Sequence, residues 1–384
     1  MNVPKLRFSH FDNEWKYESL INISNDISYG MNSASKEFDG ENAYIRITDI
    51  NENTGKYSKE NLVSPDGFLD SKYLVNENDI LFARTGASTG KTYLYNKEDG
   101  KLYYAGFLIK SNIKKEYNSS FIYQQTKTSK YNRWVKIMSM RSGQPGINSE
   151  EYGSYKFAIS SIEEQNKIAN MLQLLDKKIE LQSKKIEALK LYKKGFIKDG
   201  SFDKRIRMSD ILTEIDEKTT ELYQYELLSS TSKGLFLQSE YFNKQAGSEN
   251  NIGYKVLRKN QLVLSPQNLW MGNININSKY EIGMVSPSYK VFDINNIIDI
   301  DYFNYWIKTP RALYDYLISS EQGASVVRRN LNIDMFLDIQ VEVPKNEKLL
   351  GKSINKLNNK INLEENKLSN IIVLKKGLMQ NMFV

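Results

Sequence analysis

The sequence contains no cysteine and a single histidine, His10. Disulfides are therefore excluded, as are thiolate and multi-histidine zinc sites. Long apolar runs are also missing. Nothing reaches the roughly 18 consecutive apolar residues that a membrane-spanning helix needs. The opening stretch MNVPKLRFSH lacks the apolar core of a signal peptide. These absences lead us to expect a soluble, cytoplasmic protein that does not use a membrane.

What is present is ordinary in bulk and unusual in arrangement. Hydrophobic residues make up 40% and charged residues 26% of the chain, and 12% aromatics argue against disorder. A length of 384 residues suggests two or three domains. The net charge of +7 tilts the choice of partner toward nucleic acid or another anionic surface, although a basic chain need not bind either.

Shifted by 182 positions, the sequence partly overlays itself. Gln165 to Phe196 lies over Glu347 to Leu378 without a gap, and identical pairs include Leu175 with Leu357, Ile179 with Ile361 and Gly195 with Gly377. The same offset places residues 76–95 on 258–277, with Gly90 on Gly272. The period is far longer than solenoid units of roughly 20–50 residues, so the chain reads as a duplicated domain.

Each repeat ends in a heptad-like stretch. Ile168, Leu172, Leu175, Ile179, Gln182, Ile186 and Leu189 alternate four- and three-residue steps. Leu350, Ile354, Leu357, Ile361, Glu364, Leu368 and Ile371 do the same, with one polar member at the matching position. Matching seams predict two long helices that pack on each other. Further apolar positions at Met171, Leu174, Leu181 and Leu191 leave a flank for a second partner. A helix over about 163–197 would be roughly 50 Å long. That length suits a spacer between two DNA readers whose half-sites are centred about 34–36 Å apart.

The rest of each repeat mixes short strands with helices. YIRITDI (44–50), DILFAR (79–84), KTYLYN (91–96) and FLIK (107–110) read as strands, as do QLVLS (261–265), NININ (273–277) and YKVFDI (289–294). Residues 119–138 and 300–319 read as helices, with Ser119 or Asp301 as N-caps. The expected fold is α+β: two similar mixed α/β domains from an internal repeat, each followed by a long coiled-coil helix that packs on the other. The expected boundaries are 1–157 for the first domain, 158–200 for the central helix, 201–343 for the second domain and 344–384 for the closing helix.

Several motifs imitate catalytic sites. Gly86-Ala-Ser-Thr-Gly90-Lys91-Thr92 has three residues between its glycines where a nucleotide loop needs four, and a strand follows it instead of a helix. A strand-turn-strand hairpin fits better. Ser286-Pro287-Ser288-Tyr289 lacks the second proline of amino-methyltransferase motifs. His10 has no triad companions, and spacing does not pair Asp49, Asp79 or Glu151. We expect no catalytic residue, no metal and no cofactor bound by this chain.

DNA contact calls for cations on phosphates and forked or planar groups on base edges. In the first repeat these are Arg46 and Thr48, then Arg84, Thr85, Ser88 and Lys91. Lys130, Arg133, Lys136, Arg141 and Gln144 follow. The second repeat offers Gln267, Asn268, Trp270 and Asn273, then Lys308 and Arg311, and finally Arg328, Arg329 and Asn330. Arg84-Thr85-Gly86 corresponds to Pro266-Gln267-Asn268, so the two copies differ where reading would occur. Different loops on one scaffold predict two different half-sites; drift in the loops is the alternative.

Val3-Pro-Lys-Leu-Arg-Phe8 with Phe11 and Glu14-Trp15 resembles the opening of type I restriction-modification specificity subunits. YIRITDI and NENDILFARTGASTGK resemble their first recognition domain. IEEQNKIANMLQLLDKKI (162–179) resembles the stretch that opens their central helix, and LKKGLMQNMF (374–383) their ending. Pro344–Lys348 departs from the pattern, because the acidic-glutamine pair is degraded there. The resemblance implies two target-recognition domains separated by two long antiparallel coiled-coil helices with pseudo-two-fold symmetry, in a non-catalytic subunit that reads a bipartite, asymmetric site on double-stranded DNA. It implies two methyltransferase subunits docked on the chain, with restriction subunits in the full complex. S-adenosylmethionine, ATP and Mg would belong to those partners. The rival readings are a nucleotide- or S-adenosylmethionine-dependent enzyme, a coiled-coil adaptor, and an inactive decoy.

Overall fold

The computed structural model describes residues 3–52, 54–140, 145–198, 202–241, 250–322 and 328–383. The chain divides into two compact units, residues 1–184 with 366–384, and residues 185–365. Eight strands form the two four-stranded sheets among the described residues: β1 (Ser24–Tyr29), β2 (Asp79–Ala83), β3 (Thr92–Leu94), β4 (Leu108–Ile113), β5 (Leu212–Ile215), β6 (Leu262–Leu264), β7 (Ile274–Ile276) and β8 (Lys290–Ile294). The helices of interest are α1 (Ser119–Gln125), α2 (Ser129–Ser139), α3 (Ile162–Lys198), α4 (Ile300–Trp306), α5 (Pro310–Ile318) and α6 (Glu347–Met382).

Both units are built on an antiparallel four-stranded sheet with one strand order. It runs β1-β4-β2-β3 in the first and β5-β8-β6-β7 in the second. The central strands are buried on both faces. Ile80 and Phe82 of β2 enter one core and Leu81 and Ala83 another, as the two-residue period of a strand requires. Leu262 and Leu264 of β6 divide from Val263 in the same manner. A two-stranded ribbon closes each unit and leads into a long helix. Lys16–Ser19 pairs with Lys156–Ile159, and Phe202–Arg207 pairs with Gln340–Pro344.

Three local expectations need correction. YIRITDI is a strand only over Ala43–Ile45; Arg46 and Asp49 then form a reciprocal cap around the 3-10 turn Ile47–Asp49. Residues 119–138 form two helices, because the Thr128 hydroxyl accepts the Tyr131 N–H and starts a second helix after Thr126. Thr309 does the same in the second unit, with Pro310 in the first turn where its missing N–H costs nothing. The N-caps of α1 and α4 are Asn118 and Asp299, one and two residues before those anticipated.

The heptad seams are where the spacing puts them. Within the first unit, Ile168 and Leu172 of α3 are buried with Met379 and Met382 of α6, and Lys375 donates to Asp176 at 2.6 Å. Within the second, Ile186, Ile354 and Ile361 are buried, while Leu189, Leu350 and Leu357 are half-buried. Lys185 donates to Glu364 at 2.9 Å and Lys193 to Asn358 at 2.6 Å, an antiparallel register. Leu175, Ile179, Leu368 and Ile371 are half-buried in the first unit. The polar seam member Glu364 is thus a buried carboxylate held by a lysine from the facing helix. Among the described residues no helix is long and apolar enough to cross a membrane.

Candidate nucleic-acid interface

In each unit a short turn joins an inner strand to the edge strand beside it, in segments that the sequence aligns. In the first, β2 leaves at Ala83, passes through a 3-10 turn at Gly86–Ser88 and returns as β3. This is the expected hairpin, and no helix follows to cradle a nucleotide. Gly90 has φ +89°, and a Cβ there would lie 2.4 Å from Val135 of α2, so only glycine fits. The buried Tyr152 hydroxyl pins the turn, donating to Ala83 O at 2.7 Å and accepting the Gly90 N–H at 3.1 Å. Burial pushes this phenol well above its ordinary range, so it stays a donor. Pro145 and Ile147 zip onto the turn through Gly86 N–H to Pro145 O and Ile147 N–H to Arg84 O.

The Lys127 ammonium lies beneath β3, bonded to Thr92 O at 3.0 Å and Thr92 Oγ1 at 2.9 Å, 4.4 Å over the Tyr123 ring. Burial, with Lys375 nearby, pushes it down to about 7. The second unit repeats the plan with other groups. Leu269–Met271 form a 3-10 turn, and Gly272 has φ +83° with Leu313 packed against it. Lys308 donates to Gly272 O at 2.8 Å, and burial pushes it down to about 8.

The side chains that these turns present are unlike. In the first unit Arg84 lies 4.8 Å over the Tyr29 ring. Lys91 pairs with Glu52 at 2.6 Å, and Thr85 and Ser88 are half-exposed. Arg46 forks onto Asp49 at 2.8 and 2.9 Å, beside the exposed Thr48. Glu52 brings the loop after Asp49 up to Lys91, so these groups share one neighbourhood. Lys130 and Arg133 sit apart from them on α2. They line a cleft of about 490 Å³ with Ser129, Trp134 and Ile137, and the Lys130 ammonium is over Tyr17. Arg141 and Gln144 fall outside the described residues.

In the second unit the Arg329 N–H donates to Gln267 O at 3.1 Å. That bond sets Gln267, Asn268 and Trp270 beside Arg328, Arg329 and Asn330. The Arg329 guanidinium itself is bonded to Ser320 Oγ and O at 3.1 and 2.7 Å. Three candidates prove to be engaged within the fold. Asn273 is buried and accepts from Ser230, Lys308 holds Gly272, and Arg311 pairs with Asp315 at 3.0 Å.

The carboxylates singled out earlier are structural. Asp49 caps Arg46, and Glu151 belongs to a capping box with Asn148. Asp79 is buried, accepts from Asn76 N and Asn112, and is pushed up by its burial. Ser286–Tyr289 is a turn between strands, and His10 is exposed beside Ser9. Among the described residues no group of three or more acidic or histidine side chains could hold a metal.

One arrangement was not anticipated. Arg7 forks onto the fully buried Glu164 at 2.7 and 2.8 Å, and Trp15 donates to the same carboxylate at 3.1 Å. Bonding to Glu164 raises the Arg7 guanidinium further. The signal was available: a tryptophan and an arginine in a polar stretch, and an acidic residue at the foot of an amphipathic helix.

Residues 16–191 match the family model of the type I restriction modification DNA specificity domain. The specificity subunit of the type I restriction enzyme MjaVIII from Methanocaldococcus jannaschii is 26% identical over 181 residues. That match covers 45% of this chain and 40% of the relative, so the chain spans about two fifths of the length of that protein. A crystal structure of a type-I restriction-modification system S subunit from M. genitalium superposes over 100% of this chain and 99% of its own, with TM-score 0.64 and 17% identity. At that identity the likeness shows the fold.

Proposed function

Residues 16–191 match the type I restriction-modification DNA specificity family, and on that premise we propose that the chain belongs to it and reads a bipartite, asymmetric site on double-stranded DNA. One observation carries the proposal. Two turns with the same backbone anchor, Gly90 and Gly272, present different polar groups at matching places. Arg84 and Lys91 with Arg46 serve the first half-site; Gln267, Asn268 and Trp270 with Arg328–Asn330 serve the second. Each good bidentate contact to a base edge contributes about 1–3 kcal/mol of discrimination. Lys130 and Arg133 suit phosphates, which supply affinity without choice.

The chain serves as specificity and scaffold and carries out no bond-making step. Methyl transfer, with S-adenosylmethionine, belongs to two methyltransferase subunits, and ATP and Mg to restriction subunits of a full complex. Repeated apolar exposure supports two copies of one partner. Leu181, Val373 and Leu374 are exposed in the first unit, and their repeat counterparts Leu363, Leu191 and Tyr192 in the second. The decisive experiment maps methylated bases in a host with and without the chain. A split motif that appears only with the chain supports the proposal; methylation independent of it would overturn it. Swapping residues 84–91 for 266–273 should convert the first half-site toward the second.

A further inference from the structure

The two units treat the foot of their long helices differently. The equivalence of the two feet is fixed by a matched bond. Gln173 of α3 donates to Ser120 of α1 at 2.8 Å, and Asn355 of α6 donates to Asp301 of α4 at 2.7 Å. Two turns earlier the same register sets Gln165 against Glu347, and their helix-capping neighbours Asn118 against Asp299.

In the first unit the glutamine and the carboxylate at this place are both bonded, although Nη1 of Arg7 is buried without a partner. Gln165 accepts the Asn118 N–H at 3.0 Å and donates to Ser160 O at 2.8 Å. Next to it, Glu164 receives Arg7 and Trp15 from the stretch before the first ribbon strand. In the second unit the stretch before the ribbon strand Phe202–Arg207 follows α3 itself, and Asn346, at the position of Glu164, is exposed. Glu347 cannot donate as Gln165 does, and its Oε2 is buried without a hydrogen-bond partner. A cleft of about 430 Å³ opens there, lined by Glu347, Asp299, Asn260, Asn295, Ile298 and Lys348.

We propose that this cleft receives an arginine side chain from a methyltransferase subunit, which would bond the buried Glu347 oxygen one position beyond the counterpart of the Arg7 partner Glu164. This rests on the scaffold reading above. The charges favour such a guest. Two carboxylates against the Lys348 ammonium leave one negative charge, which matches a single guanidinium better than a divalent ion. A buried carboxylate edge suits the planar fork of arginine better than the compact ammonium of lysine, and Ile298 can cover its stem.

The test uses the full chain. Titration with N-acetyl-arginine amide, followed by NMR, should saturate. The citrulline analogue and the Glu347→Gln variant should each bind at least tenfold more weakly, and calcium chloride should not compete. Glu347→Gln installs the side chain that the first unit already uses there, so folding should survive; Asp299→Asn is the second variant. In assembly with methyltransferase subunits, Glu347→Gln should weaken affinity about tenfold, or about 1.4 kcal/mol. Equal binding of the arginine and citrulline amides, competition by calcium, or unchanged assembly of Glu347→Gln would overturn the proposal. If the unaltered chain fails to assemble with any methyltransferase subunit, the scaffold reading falls, while the amide titration still decides whether the cleft takes arginine.

Discussion

The turns at Gly90 and Gly272 occupy one place in two copies of a domain, and what they share is almost wholly backbone. Both are left-handed, at φ +89° and +83°, which favours glycine, and a side chain from the second helix after each turn, Val135 or Leu313, packs close to where a Cβ would stand. Both are bonded to the segment that follows that helix, at Arg84 O in one unit and Gln267 O in the other. The pinning groups have nevertheless diverged. A tyrosine hydroxyl, Tyr152, spans the first turn, whereas a lysine ammonium, Lys308, holds the second. The outward groups differ most. Such a scaffold constrains where a side chain stands and leaves its chemistry free.

The contrast at the helix feet gives the largest expected effect. Glu164→Ala strands the Arg7 guanidinium in a buried place and should cost about 3–5 kcal/mol. Its counterpart Asn346→Ala, at an exposed position, should stay within about 0.5 kcal/mol. Denaturant unfolding with hydrogen exchange resolved by unit would compare the two, and equal losses would erase the asymmetry. The seams should behave alike. Leu172 and Ile354 are repeat partners, both fully buried. Alanine at either should destabilise its own unit by about 2–5 kcal/mol.

Smaller effects concern reading and titration. Arg84→Ala should relax choice in the first half-site alone, and Gln267→Ala in the second alone, each by about 1–3 kcal/mol in competition binding. Loss in both half-sites from one substitution would contradict separate readers. The shallowest effect is a pH slope. Lys127 titrates at about 7 and Lys308 at about 8 in the folded chain, both below the ordinary lysine value of 10.5. Between those values and 10.5 the unfolded chain holds protons that the folded chain has released, so stability should rise with pH across this window. Below about 7 both states are protonated and this contribution is flat. Lys127→Met should flatten the rise from pH 7 and Lys308→Met the rise from pH 8, which thermal melts across pH 6.5–10 would detect.

Periodicity made the long helices and central strands legible, because burial on one stripe or on both strand faces leaves a direct mark on residue type. The offset of 182 positions likewise anticipated a shared strand order. Breaks inside helical stretches were harder to read. Thr128 and Thr309 restart helices through hydroxyl caps, a signal of one residue inside an apolar pattern that runs on regardless. Arg46 and Asp49 turned a strand-like run into a capped turn for the same reason. Which polar groups face outward was the least legible feature. Asn273 and Lys308 look like readers in sequence, and only the fold shows them bonded to Ser230 and Gly272. The Glu164 tie joins residues 157 and 149 positions apart in the chain, beyond any local pattern.

The first unit is discontinuous: Leu6 bonds to Asn381 O, and Trp15 rests against Phe383. Residues 366–384 leave the ribosome about 180 positions after Lys184. At about 5–20 residues per second that delay is roughly 10–40 s. Throughout the synthesis of the contiguous second unit the first therefore waits with its groove for α6 open. During synthesis the half made earlier is the half completed later, and that interval is when a chaperone or a stray amphipathic helix has its best access to the molecule.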